Sequence, residues 1–196
     1  MWNAISDVGD AALTLPVAIS CAIWLGISAP GLAIRWILLL SAGMALTGIT
    51  KVLYAGCGFE ISSIGFRMIS GHTTLSTAVW TVAIALLSRG MGGNAGIGAI
   101  AGLLVGLLTA VARVFDHAHT VSEVIAGWLL GAAIGALFVR TFTRSEFRPF
   151  RPDAAAAALL LVTTAAYGNH APFQSMIEAH SRGLCARAFP AVSAAR

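Results

Sequence analysis

Charge is what this sequence has least of. Only 10% of its 196 residues are Asp, Glu, Lys or Arg, where a soluble domain carries roughly 25%. That scarcity excludes an ordinary water-soluble globule. Lysine is reduced to Lys51, and the net charge of +4 comes almost wholly from arginine. No basic run with interleaved aromatics is present, so the electrostatic footprint of a nucleic-acid partner is missing. Cysteine is limited to Cys21, Cys57 and Cys185, without metal or redox spacing. All three read as structural, and Cys57 and Cys185 fall where they can meet on one side of a membrane. The apolar runs show no strand alternation, which argues against a β-barrel.

What remains is apolar: 58% hydrophobic residues and a mean hydropathy of +0.85. A chain of this length usually forms one domain, and about 20 apolar residues cross a hydrocarbon core of about 30 Å. Apolar stretches over residues 12–28, 33–54, 72–88, 95–112 and 119–140, with a weaker alanine-rich one over 153–167, predict an all-α, multi-pass transmembrane helical bundle of six spans. The sixth is short for a span at about 1.5 Å per residue. Residues 1–167 form the membrane domain and 168–196 a C-terminal tail. Asp7 and Asp10 precede the first stretch with no basic residue, unlike the charged start of a signal peptide. Gly98, Gly102 and Gly106 in the fourth stretch, and Gly127, Gly131 and Gly135 in the fifth, repeat every fourth position. Such stripes let backbones approach closely in lipid. Joined by a short loop, these two helices are expected to pack on each other along them.

The polar residues sit at stretch ends. Lys51 closes the second stretch, Ser70 and His72 open the third, Arg113 closes the fourth, and His119 and Glu123 open the fifth. Successive spans alternate direction, so all of these ends share one membrane face. Ionisable groups at membrane depth are costly and usually line a site or a pathway. The opposite ends carry Arg35, Arg89, Arg140, Arg144, Arg148 and Arg151 against Glu146 and Asp153. The positive-inside rule makes that face cytoplasmic and turns the cluster towards a periplasm or exterior. Arg182, Arg187 and Arg196 in the tail run against this bias if the sixth span crosses.

His119 and Glu123 are four residues apart, so on a helix they share a face and can hydrogen-bond. A carboxylate on one imidazole nitrogen fixes the tautomer and leaves the other free to attack or to accept a proton. Arg113 offers a planar fork suited to phosphate oxygens. Ser70-Gly71-His72 opens a helix whose first N–H groups lack partners and attract anions, and Gly71 permits close backbone approach. The set is an anion site with a nucleophile and a proton donor. His117 competes with His119, but Thr120 and Val121, its i+3 and i+4 neighbours, cannot orient it. Asp116 reads as a loop or capping residue.

In these residues the chain resembles the type 2 phosphatidic acid phosphatase superfamily, which also contains the vanadium-dependent haloperoxidases. Its motifs are K-x6-R-P, P-S-G-H and S-R-x5-H-x3-D. The second matches Ile69-Ser70-Gly71-His72. The third matches Ala112-Arg113, five residues, His119, three residues and Glu123. Lys51 stands where the first begins, but Gly58 and Phe59 replace its Arg-Pro. Arg67, just before Ser70, is the candidate to supply the lost guanidinium. The resemblance covers about residues 45 to 140. It implies a membrane lipid phosphatase working without metal or cofactor. His119 attacks phosphorus to form a phosphohistidine, Glu123 orients it, and His72 protonates the leaving oxygen. Lys51, Ser70, Gly71 and Arg113 hold the phosphoryl group. The implied partners are the bilayer and a lipid phosphate or pyrophosphate: polyprenyl pyrophosphate, phosphatidic acid or phosphatidylglycerol phosphate. The implied location is a bacterial inner membrane.

Two other classes compete. A proton or ion pathway predicts polar residues continuing to the opposite face, but the fifth stretch is apolar between Thr120 and Arg140 apart from Ser122 and Glu123. A metal-dependent hydrolase built on His72, Asp116, His117 and His119 leaves Arg113 unexplained beside a cation. A degenerate member of the family, binding lipid phosphate without cleaving it, is the third possibility.

Overall fold

The computed structural model describes residues 2–147, 150–172, 176–177, 179–181 and 183. Arg148, Arg182, Cys185, Arg187 and Arg196 lie outside them. The elements are α1 (Trp2–Asp7), α2 (Ala11–Ser28), α3 (Pro30–Cys57), α4 (Gly71–Gly90), α5 (Ala95–Phe115), α6 (Val121–Thr143) and α7 (Pro152–Ala166). Among the described residues the only β-type pairing outside these helices is an isolated bridge between Ile61 and Phe66.

The helix boundaries have local causes. Asp10 caps α2 by accepting from the Ala12 N–H at 2.8 Å, and Asn94 caps α5 through the Gly96 and Ile97 N–H groups. Pro30 and Pro152 sit at helix starts, where their missing N–H costs nothing. Gly58 closes α3 in the left-handed region at φ 66. Thr120 and Glu123 make a reciprocal capping box at the head of α6.

Among the described residues, four segments are long and apolar enough to cross a membrane: Trp2–Ser28, Pro30–Cys57, Ala95–Phe115 and Val121–Thr143. Large apolar side chains such as Ile34, Leu38, Ile100, Leu104, Ile125 and Leu129 point outward from them, as expected for lipid-facing surfaces. The protein is therefore an integral-membrane helical bundle. The predicted sixth span appears as α7, whose 15 residues reach only about 22 Å.

The third predicted span is α4, which is long enough but rich in Thr and Ser. It packs against α2, α3, α5 and α6 and is shielded from lipid. Most of its buried hydroxyls are satisfied internally: Thr74 donates to the Ser70 carbonyl at 2.9 Å, Thr77 to the Thr73 carbonyl at 2.7 Å, and Ser76 pairs with Thr109 at 2.8 Å. The Thr81 hydroxyl has no partner among the described residues.

The two glycine stripes do not face each other, contrary to the expectation from their short connecting loop. Both face α4. Gly98 abuts Ile84 and Ala85, Gly102 abuts Trp80 and Thr81, and Gly106 abuts Thr77. On the other flank Gly127 abuts Ser70 and Thr73, Gly131 abuts Thr74 and Thr77, and Gly135 abuts Thr81. The small side chains of α4 let both neighbours approach at once, so α4 takes the central position. A methyl at Gly102 would collide with the backbone of Trp80 and Thr81, and backbone cannot rotate away. Gly102→Leu is expected to lower the thermal midpoint sharply, overpacking of this kind costing about 1–3 kcal/mol or more. Gly26→Ala, which meets open space, should leave the midpoint unchanged in the same detergent.

At the arginine-rich end, Arg89 donates to the carbonyls of Phe142, Thr143 and Ser145. It thereby satisfies the free carbonyls at the C-terminus of α6. At the other end Cys57, in the last turn of α3, is disulfide-bonded, and Cys21 is a buried free thiol.

Candidate active site

The ends of α3, α4, α5 and α6 meet at one face of the bundle. The Ser70 N–H donates to the Glu123 carbonyl at 3.2 Å, and the His119 N–H donates to the Arg113 carbonyl at 3.3 Å. These bonds tie the head of α4 to the head of α6, and the end of α5 to the loop before α6. The Lys51 ammonium lies over the start of α4, 3.4 Å from where a Cβ of Gly71 would stand. Lys51, Gly71 and His72 line one cavity of about 320 Å³.

Glu123 is the most fully engaged side chain. It is completely buried. Its Oε2 receives His119 Nδ1 at 2.7 Å and the Thr120 N–H at 3.2 Å. Its Oε1 receives the Arg67 backbone N–H at 3.1 Å and Arg67 Nε at 3.0 Å. One carboxylate thus caps α6, anchors the 58–70 loop and orients the imidazole. With Nδ1 held, Nε2 is the ring nitrogen available for chemistry. Burial pushes the His119 pKa down to about 4, against the upward pull of the Glu123 hydrogen bond, and the positive charges of Arg113 and Lys51 act in the same direction as burial. His119 is therefore neutral at pH 7.

Arg113, in the last turn of α5, donates Nη1 to the buried Ser6 hydroxyl at 3.0 Å. Its buried Nε has no hydrogen-bond partner among the described residues. Ser70 is buried at the N-cap of α4, with its hydroxyl 3.0 Å from that of Thr73. Arg67 stacks over Tyr54 at 5.7 Å and turns its Nε to Glu123, whose hydrogen bond raises the guanidinium pKa. Its position thus makes it a support for the His119–Glu123 pair. His117 is exposed and sits at φ 54 in the connecting loop, apart from Glu123's hydrogen bonds. No group of three or more His, Cys, Asp or Glu side chains suited to a metal ion converges among the described residues, so the set His72, Asp116, His117 and His119 is not assembled as one.

One carboxylate of the site does not follow from the sequence motifs. Asp10 brings Oδ2 to 3.3 Å from His72 Nε2. Its Oδ1 accepts from the Ala12 and Ala171 N–H groups at 2.8 and 3.0 Å. Span parity already places the start of the first span at the face holding Lys51, so the sign was legible. The pairing was not, because it depends on which helix lies beside α4. The N-terminal segment is bound there by several contacts: Trp2 stacks on Phe115 at 4.6 Å, and Trp80 Nε1 donates to the Val8 carbonyl at 3.1 Å.

The PAP2 superfamily model matches residues 36–147, more than half of the chain, and the protein belongs to that superfamily. It is also similar to a Klebsiella pneumoniae protein described as "Uncharacterized 22.5 kDa protein in cps region", with 37% identity over 141 residues, covering 70% of this chain and 68% of the relative. No solved structure matches.

Proposed function

We propose that this protein is an integral-membrane phosphatase that hydrolyses a lipid phosphate or pyrophosphate through a phosphohistidine, without a metal. The observation that carries the reading is the 2.7 Å bond from His119 Nδ1 to the buried Glu123 carboxylate, beside the Lys51 ammonium at the head of α4. A neutral, oriented imidazole next to an anion-binding helix start is suited to in-line attack on phosphorus.

In the proposed first step the His119 Nε2 lone pair forms a bond to phosphorus as the bond to the leaving oxygen breaks. His72 gives that oxygen a proton. Water, losing a proton to His72, then attacks phosphorus; the phosphorus–nitrogen bond breaks and inorganic phosphate leaves. Lys51, Ser70, the Gly71 N–H and Arg113 stabilise the charge on the equatorial oxygens. Asp10 steadies His72 as Glu123 steadies His119. Arg67 acts through Glu123. Gly58 and Phe59, standing where the family motif has Arg-Pro, reduce the positive charge available, which favours the binding-only reading as the runner-up.

An outward-facing site is supported by the arginine-rich opposite end. The disulfide at Cys57, on the same end as Lys51, fits an oxidising compartment on that side. A bacterial inner membrane with the site towards the periplasm satisfies both.

The direct test is phosphate release from polyprenyl pyrophosphate, phosphatidic acid and phosphatidylglycerol phosphate, with and without a chelator. Release from at least one of them, unaffected by chelation, is the expected result. Tight binding of all three with no release would replace the phosphatase with a binding protein. The pH profile supplies a second check. The attacking imidazole must be neutral, and His119 stays neutral down to about pH 4. The acid limb of kcat/KM assigned to the nucleophile is therefore expected near pH 4; a limb near the ordinary value of 6.5 would contradict the assignment. Stability follows the same sign. Below pH 6.5 the unfolded chain takes up a proton that folded His119 refuses until about pH 4, so this group's contribution is lost as pH falls through that window.

A further inference from the structure

The glycine stripes that bring α5 and α6 against the backbone of α4 have no counterpart on α2 and α3, where Gly26, Gly31 and Gly48 meet nothing within 4 Å. Two cavities lie along the outer seam between α2 and α3. One, of about 320 Å³, runs from Lys51 and His72 to Leu15 and Met44, closed on its other sides by Leu75 of α4 and by Ala171 and Ile177 beyond α7. The other, of about 450 Å³, begins at the same Leu15 and continues past Leu40 to Ile37. On α3 the lining steps from Lys51 through Gly48, Met44 and Leu40 to Ile37. Steps of three and four residues keep one helix face. At 1.5 Å per residue this face extends roughly 21 Å below the lysine, more than half of a hydrocarbon core of about 30 Å.

The seam is open where the opposite face of α3 is closed. A Cβ on Gly48 meets nothing within 4 Å, whereas one on Gly43 would strike Ile134 of α6. Its charged end holds Lys51 together with His72 and Asp10; below them the walls are apolar apart from Thr47 and Ser41. One wall, α2, lies outside the segment that matches the family model.

We propose that this seam is the binding groove for the apolar chain of the substrate: a single long hydrocarbon chain lying parallel to α2 and α3, with its phosphate at Lys51. The inference rests on the phosphatase reading for the role of the headgroup. A chain passing from bilayer to groove exchanges one apolar surrounding for another. The groove therefore contributes register, fixing the depth of the phosphate. It selects lipids with one long chain that can lie in a two-helix seam.

The test uses the full chain in phosphatidylcholine nanodiscs, with hexadecyl phosphate carrying a diazirine at the chain end as photolabel. Crosslinked peptides from α2 and α3 around Leu15 and Ile37, competed by unlabelled hexadecyl phosphate, are expected. Label competed instead from α5 or α6 would overturn the groove. Phosphate release is measured in parallel on hexadecyl phosphate and on p-nitrophenyl phosphate. Gly48→Trp, filling the open space, should lower the ratio of kcat/KM for the lipid over the soluble ester by about tenfold, equivalent to about 1.4 kcal/mol. Leu129→Trp, on the outward surface of α6, should leave that ratio as in the parent. An unchanged ratio in Gly48→Trp, with label elsewhere, sinks the groove while the phosphatase stands. Seam labelling without phosphate release from either ester keeps the groove and removes the phosphatase.

Discussion

His119→Ala is expected to lower phosphate release by at least about 10⁴-fold, because loss of a nucleophile that acts as a unit with its base and orienter removes nearly all of the chemical step. The fold should survive it. Glu123 keeps the Thr120 N–H and both Arg67 donors, so the capping box and the 58–70 loop retain their anchors. The thermal midpoint in detergent should therefore move by a few degrees at most, while turnover disappears. The measurement is single-turnover phosphate release, with acid-quenched protein assayed for an acid-labile phosphoryl adduct. The parent should form that adduct and the variant should not. Equal turnover in the variant would remove His119 from the mechanism and return His117 to consideration.

Glu123→Ala is expected to damage both activity and stability, and the pairing of the two effects is its signature. Four donors lose their acceptor: His119 Nδ1, the Thr120 N–H, the Arg67 N–H and Arg67 Nε. Removing one partner of a buried charged network typically costs about 3–5 kcal/mol, and Arg67 is half-exposed, so the lower end applies. Release should fall by about 10²–10⁴-fold, the range in which a positioned acid–base system operates. Glu123→Asp separates orientation from charge. The shorter side chain cannot hold His119 and Arg67 together as this one does. A displacement of about 1 Å at a reacting group can cost about 10²-fold. The family's aspartate is therefore expected to be the poorer residue here. Circular dichroism melts and kcat on one lipid phosphate decide it, and full activity in the aspartate variant would show that the Arg67 bond is dispensable.

Much of this was legible in the chain because it follows from local periodicity or bulk composition. His119 and Glu123, four positions apart, do meet, but His119 stands just before the N-cap Thr120 and the contact closes across the head of α6 rather than along one helix face. Low charge and high hydropathy dictate a lipid environment, since composition sums over the chain without reference to contacts. Alternating spans dictate that Lys51, Ser70, His72, Arg113, His119 and Glu123 share a face, since each crossing reverses direction. Asn94, Thr120 and the prolines mark helix ends through bonds made within a few residues.

Other features depend on which helix lies beside which, and parity carries no such information. The sequence pointed to the glycine stripes of α5 and α6 as mutual contacts, but both face α4, because only tertiary packing reveals that the Thr-rich helix is central. The sequence offers Arg67 as a phosphate-binding candidate; that its Nε is bonded to Glu123 across 56 residues of sequence is known only from the fold. Asp10 was read only as a charge before the first span, yet it stands against His72. By itself, then, the sequence determined the membrane class, the shared face and the nearness of His119 to Glu123, consequences of composition, span alternation and short separation along the chain. The tertiary structure alone decided what supports each histidine and where the bundle stays open, since those follow from the order in which helices of similar apolarity pack in three dimensions.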